Sequence, residues 1–164
     1  MVMIGKKIEK AFNGQLNAEL YASYLYLGMS AYFESTNLPG FAHWMRAQAK
    51  EEQEHAMKFY EHIVERTGRV ALQAIEAPPL EWESPLAAFQ AAYGHERKVT
   101  GMIHDLLELA GSEGDPAANA FLQWFVTEQV EEEAQTDQVV QQLKMVSKAP
   151  HGLLMIDREL AQRA

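Results

Sequence analysis

Apolar residues return along this chain at helical intervals, and nowhere do they alternate in the two-residue rhythm of a strand for a useful length. From about Gly5 to Ser35 they form a stripe of Ile8, Phe12, Leu16, Leu20, Leu27 and Ala31, with Tyr24 on it and Glu19 beside it. Asn37-Leu38-Pro39-Gly40 breaks the pattern. A second helix is predicted from about Phe41 to Thr67, with Phe41, Trp44, Met45, Ala49, Ala56, Phe59 and Ile63 on its apolar face and Gly68 as a C-terminal cap. The short break between the two makes them an antiparallel pair.

Residues 68–84 carry Pro78-Pro79 and no helical period. Connections of that length are uncommon unless they have a task. Extended, this one spans roughly 50 Å, against about 42 Å for a helix of about 28 residues. It can therefore run the length of a bundle and leave helices two and three parallel. The third helix is predicted from about Pro85 to Gly111, opened by Ser84-Pro85 and buried through Phe89, Ala92, Val99, Ile103, Leu106 and Leu107. After the turn at Gly111-Ser112-Glu113-Gly114, Asp115-Pro116 opens a fourth helix. It is expected to reach about Ser147, with Phe121, Leu122, Phe125, Val126, Val139, Val140 and Leu143 inward. Beyond Pro150, a short amphipathic stretch from about Gly152 to Gln162 carries Leu153, Leu154, Ile156 and Leu160 and needs a surface to lie on. The expected fold is all-α: one domain over residues 1–164, a four-helix bundle with a long crossover between helices two and three and a short fifth helix.

Polar residues interrupt these faces at a regular spacing. Glu52 and His55 stand three apart and share one helix face, where a carboxylate and an imidazole can grip one metal ion. Alone, Glu-x-x-His says little. Glu19, however, precedes Glu52 by 33 residues, and Glu96 precedes Gln129 by the same 33, with Glu132 three further on. Even the preceding carboxylate repeats, as Glu51 and Glu128. Each of these groups lies near the middle of its helix, so a bundle brings them to one level whichever way each helix runs.

Several buried anions without partners cost several kcal/mol each. Glu19, Glu52, Glu96 and Glu132 must therefore be protonated, paired or metal-bound, and two divalent cations would neutralise all four. Oxygen-rich ligation with one imidazole suits iron(II) or manganese better than copper, with zinc still open. The chain's 164 residues include no cysteine, which removes disulfides and thiolate sites. A formal net charge of −9 argues against nucleic acid as a partner and suits a protein that attracts cations. No apolar run is long enough to span a membrane or serve as a secretion signal, so a cytoplasmic location is expected.

The chain resembles the ferritins, in particular the haem-free bacterial type. The residues that carry the resemblance are Glu19-Leu20-Tyr21, Glu51-Glu52-Gln53-Glu54-His55, His95-Glu96, Phe121 through Gln129, and Glu131-Glu132-Glu133. The resemblance implies a ferritin-like bundle and a di-iron centre that oxidises iron(II) with dioxygen or hydrogen peroxide. Glu19, Glu52 and His55 would hold the first iron, and Glu52, Glu96, Gln129 and Glu132 the second, with Glu52 bridging. A third nearby iron would use Glu51, Glu128 and Glu131, sharing Glu132. Tyr26, beside the first site, matches a tyrosine thought to supply an electron. The resemblance also implies a homo-oligomeric shell of twenty-four subunits that stores ferric mineral. The haem-bearing relatives place a methionine where this chain has Gln53, so haem is not expected. At the positions where animal ferritins carry acidic channel residues this chain has Asn119 and Leu122, so an acidic three-fold route is not expected either.

Two other readings remain. A di-metal oxygen-activating oxidoreductase without mineral storage would want a second Glu-x-x-His, where this chain has Gln129-x-x-Glu132. A metal-free structural bundle would have to explain a carboxylate layer in its middle. Trp124 is expected in the core or at an interface. His43, His62, His104 and His151 are expected at the surface or at caps, and His95 points away from Glu96.

Overall fold

The computed structural model describes residues 2–146 and 148–164. Among these residues five helices follow one another: α1 (Lys6–Ser35), α2 (Pro39–Glu65), α3 (Pro85–Ser112), α4 (Pro116–Val146) and α5 (Pro150–Leu160). No strand occurs among the described residues, and the fold is the all-α bundle with a short C-terminal helix. The fourth helix's expected end at Ser147 lies outside the described residues. Among them, no helix is long and apolar enough to cross a membrane.

α1 packs on α2, and α3 on α4, with α1 and α3 in contact between the pairs. The connection from α2 to α3 climbs along α1. Asn13 near the start of α1 donates to the Arg69 carbonyl at 3.0 Å and accepts from the Ala71 amide at 2.7 Å. Pro78 lies against Gly28, and the Trp82 ring meets Tyr32 near the end of α1, with ring centroids 5.5 Å apart. The crossover thus returns the chain to the end where α2 began, and α2 and α3 run parallel.

The buried seam of α1 differs from the predicted stripe. Leu27 and Ala31 are exposed and so is Tyr24, while Ile8, Phe12, Leu16, Glu19, Ala22, Tyr26, Met29 and Phe33 are buried. The steps of four from Ile8 to Tyr24 advance about 40° each beyond full turns, so the predicted stripe winds off the face. The buried positions mix steps of three and four and hold the face. Glu19 therefore lies on the seam itself, not beside it.

The helix ends also differ in detail. α2 begins at Pro39, one of the residues read as a breaker, because proline suits the first helical position. At the other end Thr67, not Gly68, takes the left-handed conformation (φ 57). The Gly68 amide reaches back to the Ile63 carbonyl at 2.8 Å and the Thr67 amide to Val64 at 3.0 Å, the paired bonds of a Schellman ending. Gly68 is instead required for space, since a Cβ there would lie 2.6 Å from Ile4 Cγ2.

Two apolar clusters form the core. One gathers Met29, Phe33, Phe41, Met45, Phe89, Val140, Leu143 and the α5 residues Ile156 and Leu160. The other gathers Ile8, Phe12, Phe59, Ile63, Ile103, Leu122 and Phe125. α5 lies against α2, where the buried Asp157 carboxylate accepts a 3.0 Å bond from the Phe41 amide at the exposed donor end of α2.

Candidate metal centre

Between the two apolar clusters lies a polar layer, to which all four long helices contribute. Glu19 comes from α1, Gln48, Glu52 and His55 from α2, Glu96 from α3, and Gln129 and Glu132 from α4, and all are buried. Mid-helix placement brings them together, as the sequence leads one to expect. The aromatic and aliphatic packing above and below keeps water from them.

Two sets of ligand-type atoms in the layer are buried throughout and share a member. In one, atoms of Glu19, Glu52 and His55 lie within 4.8 Å of one another, and in the other, atoms of Glu52, Glu96 and Glu132 do. Atoms that bind one small divalent ion stand at about 2.0–2.2 Å from it, so both sets have the spread of a coordination shell before closure. His55 Nδ1 lies 3.3 Å from Glu52 and 4.0 Å from Glu19. Gln129 spends its amide nitrogen on the Glu96 carbonyl (3.2 Å), the Glu96 carboxylate (3.2 Å) and Thr100 (3.3 Å).

Two glutamines that the sequence reading overlooked support the carboxylates. Gln15 donates to Glu19 at 2.9 Å. Gln48 donates to Glu52 at 2.8 Å and to Glu132 at 2.7 Å. Each stands four residues before a cluster glutamate, one turn back on the same face, and that repeated spacing was the available signal. Even so, Glu19 Oε2 and Glu132 Oε1 are buried with no hydrogen-bond partner. Unsatisfied carboxylate oxygens in a dry interior, one in each set, fit divalent cations as the missing partners.

Tyr26 is fully buried, and its hydroxyl donates to Glu96. It therefore adjoins the Glu52–Glu96–Glu132 set, not the Glu19–His55 side where the sequence reading put it. Burial first, and then Glu96, pushes its hydroxyl well above the usual range, so Tyr26 stays a donor.

Glu51, Glu128 and Glu131 do not converge as a trio. Glu128 stands 3.8 Å from His55 Nε2 and joins a set with His55 and Glu132. Glu51 is drawn away to Arg163, at 2.8 Å. Glu131 is exposed, close enough that it and Glu51 add to the effect of burial in raising the Glu128 carboxyl.

Trp124, 41% exposed, sets its ring edge-on to His55 at 5.4 Å under Lys58, so it forms a rim of the layer. His62 is half-buried and stacks on Phe121 at 4.2 Å, a packing role rather than a surface one. His95 is held between Tyr21 and Tyr26, and burial depresses it to about 4, so it stays neutral.

Without cations, burial favours the protonated form of these carboxyls. Burial first, then Glu52, raises Glu19; burial, then Glu96 and Glu132, raises Glu52. Burial raises Glu96 as well, and burial followed by Glu96 pushes Glu132 to about 8. An unfolded chain releases these protons near 4.5, whereas the folded chain keeps them. The metal-free protein is therefore expected to lose stability as pH rises from about 4.5 to about 8, the window over which Glu132 stays protonated only in the folded chain. Thermal unfolding between pH 5 and pH 8 checks this, and a melting temperature that rises over that span contradicts it.

Known proteins share this architecture. A family model described as "Ferritin-like domain" matches residues 9–146. A bacterial non-heme ferritin of Bacteroides fragilis is 41% identical over 161 residues, 98% of this chain and 100% of that protein. One of Staphylococcus aureus is 34% identical over 161 residues, 98% of this chain and 97% of that protein. Among solved structures, an open-pore ferritin from the hyperthermophilic archaeon Archaeoglobus fulgidus superposes with a TM-score of 0.97 at 50% identity, covering 98% of this chain and 99% of that one. With the bundle, the shared-glutamate layer and these likenesses together, the chain belongs to the ferritin family.

Proposed function

We propose that residues 1–164 form a single ferritin-like di-iron domain that stores iron as a ferroxidase. Iron(II) is its substrate and ferric mineral its cargo. Glu19, Glu52 and His55 take one ion, and Glu52, Glu96, Gln129 and Glu132 take the other. The observation that carries this reading is the pair of buried, carboxylate-rich sets joined through Glu52. Two iron(II) ions side by side give up one electron each, and the two electrons reduce dioxygen to hydrogen peroxide or hydrogen peroxide to water. The residues' part is to shed their carboxyl protons as cations arrive, to hold the pair close together, and to exclude bulk water. Where only one iron(II) is in place, the second electron would come from Tyr26, whose hydroxyl proton would pass to the Glu96 carboxylate that it already donates to. A third iron beside the pair would use Glu128 and share Glu132, with Glu51 leaving Arg163 and Glu131 turning inward to complete its ligands.

Gln129 suits storage rather than a permanent cofactor. A neutral amide holds a cation more weakly than a carboxylate, so the second ion can leave once oxidised. Gln129→Glu is expected to slow its departure about tenfold or more. Stopped-flow absorbance after two iron(II) per subunit reads this, and unchanged retention counts against it.

The shell is proposed to hold twenty-four copies. Tyr24 and Leu27 on α1, with Leu72 and Leu80 on the crossover, are apolar and exposed in the single chain, as contacts between copies require. A net charge of −9 draws cations to the particle, and a cysteine-free chain suits the cytoplasm. Aerobic addition of iron(II) tests the whole reading. Amber ferric colour, with many irons per subunit in a large particle, is expected. Two irons in a small particle would instead indicate a di-metal oxygen-activating enzyme, and no colour would leave only a scaffold.

A further inference from the structure

Arg163, beyond the end of α5, returns to the face of α2 that carries Trp44, Gln48 and Glu51. Its Nη1 donates to the Trp44 carbonyl at 3.2 Å. Its Nη2 donates to Gln48 Oε1 and to Glu51 Oε2, each at 2.8 Å. The guanidinium also lies over the Trp44 ring, 4.3 Å from the centroid. His43 fastens the same residue's backbone, with Nε2 2.6 Å from the Arg163 carbonyl oxygen.

The contact with Gln48 reaches the centre. Gln48 is fully buried, and its amide nitrogen bridges Glu52 and Glu132, one carboxylate from α2 and one from α4. A glutamine amide has an acceptor end and a donor end of similar size, so packing alone does not decide which faces inward. Turned round, its oxygen would oppose the two carboxylates once cations had displaced their protons. A guanidinium can only donate, so it fixes the oxygen toward itself and the nitrogen toward the carboxylates. The planar fork holds Trp44, Gln48 and Glu51 together, which a lysine ammonium does not match.

We propose that Arg163 is a positioning residue of the metal centre, acting through Gln48 to hold Glu52 and Glu132 at the spacing that receives a cation. This rests on the reading of those two glutamates as metal carboxylates. It makes the segment after α5 part of the site's support, so that the fifth helix carries a functional residue.

Cobalt(II) alone, added to the full chain, is the probe. Outer partners of metal sites typically alter affinity 10–100-fold. Arg163→Ala is expected to weaken cobalt binding by about that factor and to shift the visible band of the bound ion. Gln48→Leu should do the same, and adding Arg163→Ala to Gln48→Leu should cost nothing more. Gln162→Ala, a neighbouring exposed change, should bind cobalt like the parent. Parent-like binding and spectrum in Arg163→Ala would overturn the proposal, and so would a full extra loss on top of Gln48→Leu. Should the parent itself take up no cobalt, the proposed function fails, and the crystal structure of metal-free Arg163→Ala decides the positioning role separately. Loss of the Gln48 bridge to Glu52 or Glu132 supports it; an unmoved bridge rejects it.

Discussion

Replacing Glu52 with glutamine is expected to slow iron(II) oxidation at least about a hundredfold and, at pH 8, to raise the melting temperature of the metal-free protein. The first effect follows from sharing. Glu52 belongs to both of the fully buried sets of ligand-type atoms, so its loss would impair both proposed cation positions and the link between them. Changes in mere outer partners of a metal cost 10–100-fold, and a shared ligand should exceed that. The second effect has the opposite sign because the native group is strained without cations. Burial and the charges of Glu96 and Glu132 hold the Glu52 carboxyl far above its usual range. A neutral amide of the same shape removes that penalty, for a gain of about 1–3 kcal/mol. The amide can still accept from Gln48, which now donates to Glu52 at 2.8 Å. Oxidation followed by absorbance and unfolding followed by calorimetry read the two effects. A variant that oxidises iron within threefold of the parent rate would contradict the assignment of Glu52.

The second large effect concerns α5. Gly40→Ala is expected to destabilise the protein by about 3 kcal/mol. For a chain of this size that lowers the melting temperature by about 10 °C. A Cβ at Gly40 would lie 1.7 Å from the Asp157 backbone oxygen and 2.6 Å from its carbonyl carbon. The obstacle is main chain, so no side-chain rotation relieves it. α5 must shift or detach, and with it go the buried Asp157 bond to the Phe41 amide and the packing of Ile156 and Leu160. Gly14→Ala provides the contrast. Nothing stands within 4 Å of a Cβ there, and the helix interior gains by losing a glycine, so a rise of about 0.5–1 kcal/mol is expected. Equal melting of the two variants would show that Gly40 is not constrained by α5.

Much of this architecture was legible in the chain. Ser84-Pro85 and Asp115-Pro116 mark helix starts locally, and the structure begins α3 and α4 at those prolines. The equal intervals from Glu19 to Glu52 and from Glu96 to Gln129 were legible because helix length and short turns preserve level across a pair. The seam of α1 was misplaced because fourfold steps look regular in sequence but precess on a helix. Thr67 was missed as the left-handed residue because a β-branched side chain disfavours that conformation, and the adjacent glycine drew attention instead. Gln15 and Gln48 carried a readable signal one turn before their glutamates. Arg163 carried none, since it meets Gln48 across 115 positions of sequence and only the docking of α5 brings it there. The partner of Tyr26, 70 positions away on α3, depends equally on how the helices are rotated.

Two cations are expected to occupy the dry layer between the aromatic ends of the bundle. Diffraction at the iron absorption edge, from crystals of the metal-free protein soaked anaerobically in iron(II), tests it most directly. Two anomalous peaks per subunit are expected, one among Glu19, Glu52 and His55 and one among Glu52, Glu96 and Glu132. Peaks confined to the outer acidic surface, with none touching Glu52, would contradict it.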